Sequence, residues 1–184
     1  MSPQIIFQLQ LVLGYLPWLL VLGAYVWPKL RAMDAVAAHR AIAALHSFRF
    51  FGLVFLVPGV VGSGLPSRFA DFAAYGDFAT GVLAMLALVS IRGRPIFWTF
   101  VVAFNAVGTL DILVDYYHGA QSGLPRVAGE LGAAYAIPMI YVPILMITHV
   151  VAFSLLWRAL TKAGHSVSKT AVVDPSGRWA GDRP

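Results

Sequence analysis

Five stretches of this chain stay apolar for roughly the 20 residues that a membrane-spanning helix needs, and short polar or basic breaks separate them. They cover residues 5–27, 41–61, 72–91, 95–117 and 132–157. The pattern predicts an all-α fold, a polytopic bundle of five transmembrane helices occupying residues 1–160. The first stretch does not read as a cleaved leader. It has no basic n-region, exceeds the length of an h-region and ends in Tyr-Val-Trp rather than in small residues. The third is interrupted by Tyr75, Gly76 and Asp77, so charge placement decides it. With all five crossing, Lys29, Arg31, Arg40, Arg92, Arg94, Arg158, Lys162, Lys169, Arg178 and Arg183 share one side. Arg68 and Arg126 take the other, and Arg49 lies inside a span. Ten basic residues against two put the N-terminus outside and the C-terminus in the cytoplasm.

The breaks add two smaller features. Residues 30–44 read as an interfacial helical lead into the second span, and 161–184 as a flexible basic cytoplasmic tail. Ser-Gly-Leu-Pro occurs at 63–66 and again at 122–125, both in expected outer loops. The offset suggests two related hairpins, although the same tetrapeptide is ordinary helix-ending turn chemistry.

Composition agrees with lipid as the solvent. Of 184 residues, 59% are hydrophobic and 11% charged, and mean hydropathy is +0.77. Soluble domains carry about 25% charged residues. Absence of cysteine removes disulfides, thiolate metal sites and thiol nucleophiles. The net charge of +5 is explained by topology and carries no nucleic-acid signature.

Function is written in the polar residues that lipid would reject. His46 and Arg49 share a face of the second span, where Arg49 either snorkels to headgroups or turns inward to meet an anion or Asn105. In the fourth span Asn105, Gly108, Thr109, Asp111 and Asp115 fall on one side. Asp115 reads as interfacial and Asp111 as a turn deeper, where a carboxylate costs about 2.5–3.5 kcal/mol unless paired or protonated. Asp77 either caps the third span or joins Asp111 and Asp115 in an acidic outer tier. Pro58 and Gly59 loosen the second span, while Pro138 and Pro143, flanked by Tyr135 and Tyr141, make the fifth irregular. His149 matches His46 in depth, which would suit bis-histidine ligation of haem b or a simple interhelical hydrogen bond. Asp111 and Asp115 form D-x-x-x-D, a pattern that holds Mg²⁺–diphosphate when a basic loop accompanies it. No G-x-S-x-G, H-E-x-x-H, P-loop or G-x-G-x-x-G motif occurs.

The stretches FGLVFLVPGVVGSGLPSRFA, YGD, FNAVGTLD and IPMIYVPILMITHV together resemble small uncharacterised multi-pass integral membrane proteins of bacteria. The resemblance spans about residues 45–155 and implies a bacterial inner-membrane location without an activity. It groups Arg49, Asp77, Asn105, Asp111 and His149 as one pattern. Three functions follow as expectations. The first is a small carrier or ligand-binding protein with a proton- or cation-responsive Asp111, taking a lipophilic or small polar ligand. Its pathway would comprise Arg49, Asp77, Asn105, Asp111, Tyr135, Tyr141 and His149. The second is a haem redox protein through His46 and His149, or an enzyme acting on a quinone or isoprenoid. The third is an accessory subunit, whose partners would be the bilayer, a second copy or a membrane complex.

Overall fold

A computed structural model describes residues 1–91 and 94–170. Arg92 of the basic set, and residues 171–184 of the expected tail with Arg178 and Arg183, lie outside the described residues. All regular structure among the described residues is helical. Helix α1 (Pro3–Val21) continues through a π-turn (Leu22–Val26) into α2 (Trp27–Ala32). Helix α3 (Ala35–His46) continues into a 3₁₀ segment (Ser47–Leu56). Then come α4 (Ser67–Val89) and α5 (Pro95–Gln121). Short 3₁₀ turns (Leu124–Arg126, Ala128–Tyr135) and a π-turn (Ile137–Tyr141) lead into α6 (Val142–Thr170). Four helical runs are long and apolar enough to cross a membrane: Pro3–Ala32, Ser67–Val89, Pro95–Gln121 and Ile137–Ala159.

The surface is inside out relative to a water-soluble protein. Val12 and Leu20 on α1 are 66% and 73% exposed, and Val89 is 79% exposed. Arg49, Asp77, Asn105, His46 and His149 are buried. Apolar side chains at the periphery with charges in the middle are stable only where the surrounding solvent is apolar. The interior is layered. One apolar core, with Phe7, Phe55, Phe69 and Leu131, lies toward the end bearing loops 57–66 and 122–127. A second, with Leu30, Ile42, Phe97, Phe104 and Val151, lies toward the opposite end. The buried polar residues fall between them in the sequence of α4, α5 and α6 alike.

The second apolar stretch differs most from the sequence expectation. It is no single α-helix over 41–61: α3 begins earlier, 3₁₀ geometry takes over at Ser47, and the helix stops at Leu56. Pro58 and Gly59 do not kink a continuing span but end it, with Gly59 at φ +83° in a turn. Side chains three apart eclipse in a 3₁₀ helix. His46, Arg49, Gly52 and Phe55 are three apart, and all four are buried. An α-helix would rotate each successive member about 60° away from the last. The tighter winding keeps this stripe straight against α4, where a side chain on Gly81 would come within 2.9 Å of the Phe50 backbone nitrogen.

This unit runs the length of α4. At one end Arg40 Nη1 donates to the Leu88 carbonyl at 2.6 Å, on the last turn of α4. At the other, the Phe55 ring packs edge-on against Phe69 in the first turn of α4, with centroids 5.7 Å apart. With a rise of about 1.5 Å per α residue and 2.0 Å per 3₁₀ residue, residues 35–56 extend roughly 38 Å. The hairpin echo does not reach the secondary structure. The first Ser-Gly-Leu-Pro leads straight into α4, whereas the second leads into 3₁₀ and π turns. Prolines 138 and 143 do produce the irregular entry expected of the last helix, and the Trp18 indole occupies the Ile140 carbonyl there at 2.8 Å. Helix α6 continues to Thr170, into the segment expected as tail.

Candidate functional site

Arg49 does not snorkel. Third in the 3₁₀ segment, it is 1% exposed and points into the bundle. Its Nε donates to Asp77 Oδ1 of α4 at 2.6 Å, and its Nη2 donates to Asp111 Oδ2 of α5. Its Nη1 lies 3.2 Å from the Gly108 carbonyl and 3.2 Å from His149 Nε2. Sequence reading offered Asn105 as the partner of Arg49, but the two aspartates take that place. All three nitrogens of the guanidinium are thus already engaged within the bundle. Gly108 makes the arrangement possible, because a Cβ there would sit 2.6 Å from both Arg49 Nη1 and His149 Nε2.

The hydrogen bonds also fix the state of His149. Arginine only donates, so Nε2 of His149 accepts and the ring is neutral, with its proton on Nδ1. That proton is donated to Asn105 Oδ1 at 2.9 Å, and Asn105 Nδ2 donates to the Val101 carbonyl at 2.8 Å. Asn105 thus reaches Arg49 through a histidine. His46 lies beside this relay, its ring centroid 4.1 Å from that of His149. Thr148 Oγ1 uses its own proton on the Ile144 and Leu145 carbonyls, so it accepts from His46 Nε2 at 3.0 Å. Nδ1 of His46 is left buried without a partner.

Haem b does not fit this pair. Two axial imidazoles must bind from opposite faces of a porphyrin, whereas these rings lie in direct contact, centroids 4.1 Å apart and tilted by 40°, and engage both Nε2 atoms elsewhere.

Among the other expected residues, Asp77 is not a helix cap: it lies ten residues inside α4 and pairs with Arg49. Asp111 and Asp115 do not act together, since Asp111 joins Arg49 while Asp115 lines a cavity with one shielded oxygen unpartnered. Asp115 is consequently more than an interfacial residue. Tyr135 stands apart, bonding Gln10 at 2.5 Å and packing edge-on to Phe7. The Tyr141 hydroxyl caps the Leu45 carbonyl at 3.3 Å, where α3 passes into 3₁₀ geometry. Sequence reading missed Thr148 and the Gly108 carbonyl. The first adjoins His149, but nothing in sequence shows a backbone carbonyl aimed at an arginine.

Two cavities flank the arginine. The larger, about 650 Å³, lies among α1, α4, α5 and the π-turn, is mostly apolar, and includes Asp77 and Asp115 in its lining. The smaller, about 480 Å³, opens between α4 and α5 beside Gly76 and Asp111. Asp77 therefore faces one space and Asp111 the other, with Arg49 between them.

These features define a helical protein with four helices fit to cross a membrane and a charged cluster buried among them. The chain belongs to the DUF8737 family, a domain of unknown function, whose model matches residues 6–157. No curated protein and no solved structure matches the chain.

Arg49→Lys keeps the charge but loses the fork that reaches both carboxylates. Breaking one partner from a buried pair costs about 3–5 kcal/mol. Thermal unfolding of the purified variant is expected to shift clearly downward, and an unchanged midpoint would contradict the assigned contacts.

Proposed function

We propose that this protein is a bacterial inner-membrane protein crossing the bilayer five times, N-terminus outside. It binds a lipophilic ligand in the 650 Å³ cavity and responds to a proton or cation at Asp111. The observation that carries this reading is that the apolar cavity and the buried arginine cluster share Asp77. A volume of this size accommodates a small lipophile. The second cavity gives Asp111 a separate approach. Five crossings are supported by residues 35–56, which run the length of α4, and the orientation by the basic residues.

Charge counting supplies the link between the two sites. One guanidinium faces two carboxylates, so the fully ionised tier carries one negative charge in excess. When a proton or cation neutralises Asp111, Arg49 is left to Asp77 alone, and the acidic end of the cavity, where Asp115 remains, becomes less negative by one charge. The groups around this tier are Asp77 from α4, Asp115 from α5, His46 from α3 and the neutral His149 from α6. A ligand sensitive to that end and a proton at Asp111 then influence each other. Such coupling is what a small carrier requires.

Mass analysis of small molecules retained by the purified full chain tests the cavity. One lipophile per chain is expected, and Leu11→Trp, which fills the cavity wall, removes it. A chain that retains nothing, or retention unaffected by Leu11→Trp, would contradict the reading. Topology is accessible because native cysteine is absent. Cysteines placed at Ser63 and Ser122 are expected to react with an impermeant maleimide on intact cells, and one at Ser90 only after lysis. A cysteine placed at Met33, between the first and second crossings, is likewise expected to react only after lysis, and reaction of the Met33 and Ser63 positions from the same side would remove the second crossing.

A further inference from the structure

The lining of the larger cavity is one-sided in its charge. Two aspartates, Asp77 and Asp115, supply its ionisable carboxylates, and no lysine, arginine or histidine lines it. The remaining polar side chains there are Gln8 and the hydroxyls of Tyr15 and Tyr116, which are bonded to each other at 2.6 Å. Asp115 makes no side-chain hydrogen bond or ion pair among the described residues, and its Oδ1 is shielded from solvent. A carboxylate that lines a cavity without a protein partner is available to a donor entering that cavity. Arg49, which pairs with Asp77, is not part of the lining and is held by its own partners.

Resting on the cavity reading above, we propose that the ligand is a lipophilic amine in its protonated form. Its apolar body lies among Phe7, Leu11, Phe55 and Ile137, and its ammonium group donates to Asp115 beside Asp77. Fatty acids and isoprenoid diphosphates are disfavoured by the same geometry, since their headgroups would meet carboxylates and no basic side chain in the lining. A neutral alcohol fills the apolar part but leaves the acidic end without a charge partner.

Native mass spectrometry of the full chain with decylamine, decanol or decanoate at equal concentration separates these classes. Charge-assisted hydrogen bonds are strong enough to expect decylamine to bind one per chain and about tenfold tighter than decanol, with decanoate weaker still. Asp115→Asn is expected to reduce decylamine affinity by about tenfold and leave decanol unchanged. This variant breaks no side-chain contact, so its unfolding temperature should match the parent. Equal binding of decylamine and decanol, indifferent to Asp115→Asn, would overturn the amine while leaving the cavity reading intact. Preference for decanoate would also overturn it. Binding of none of the three would overturn the cavity reading and this proposal together.

Discussion

A guanidinium held in the middle of an apolar bundle must be matched from within, because neither lipid nor a packed core can solvate it. Arg49 is matched by two carboxylates, a carbonyl and an imidazole drawn from three different helices. Each of those helices therefore has its rotation set at the depth of the arginine. The tier lies between two apolar cores, and the cores alone would tolerate sliding or rotation that the polar tier does not.

The backbone is adapted to that requirement. A ten-residue 3₁₀ run is much longer than the three or four residues usual for this geometry. Its straight stripe of His46, Arg49, Gly52 and Phe55 meets α4 at close range, and Gly81 and Gly108 remove the side chains that would hold the elements apart. The tautomer chain from Arg49 through His149 and Asn105 to the Val101 carbonyl then orients the far side of the guanidinium. Asp77 and Asp111 are left at the borders of two different cavities. This separation, with one charge shared between them, is the feature on which the proposed coupling rests.

Much of this was legible in the sequence, for physical reasons. Apolar runs of membrane length announce themselves because lipid demands them. Arg49, Asp77, Asn105, Asp111, His46 and His149 stood out because charges and amides in such runs are costly, and the structure gathers all six. Their pairing was not legible. Which residue meets Arg49 depends on helix rotation and on contacts far apart in sequence, and the 3₁₀ winding changed that rotation. The period of three from His46 to Phe55 was present to be read, but aromatic and β-branched neighbours hid it inside an ordinary apolar run. Depth along the helix placed Asp115 at the interface but could not show the cavity that α1 and the π-turn create beside it.

The ionic tie between Arg49 and the carboxylates is the claim on which the architecture and the functional reading both rest. A double-mutant cycle with Arg49→Met and Asp111→Asn, read as unfolding free energy in one detergent, isolates that tie from the separate effect of each substitution. The account predicts a coupling of about 2 kcal/mol or more, with the double variant recovering part of the loss caused by Arg49→Met alone. Strictly additive effects, with coupling below about 0.5 kcal/mol, would mean that Arg49 and Asp111 do not depend on each other and would contradict it.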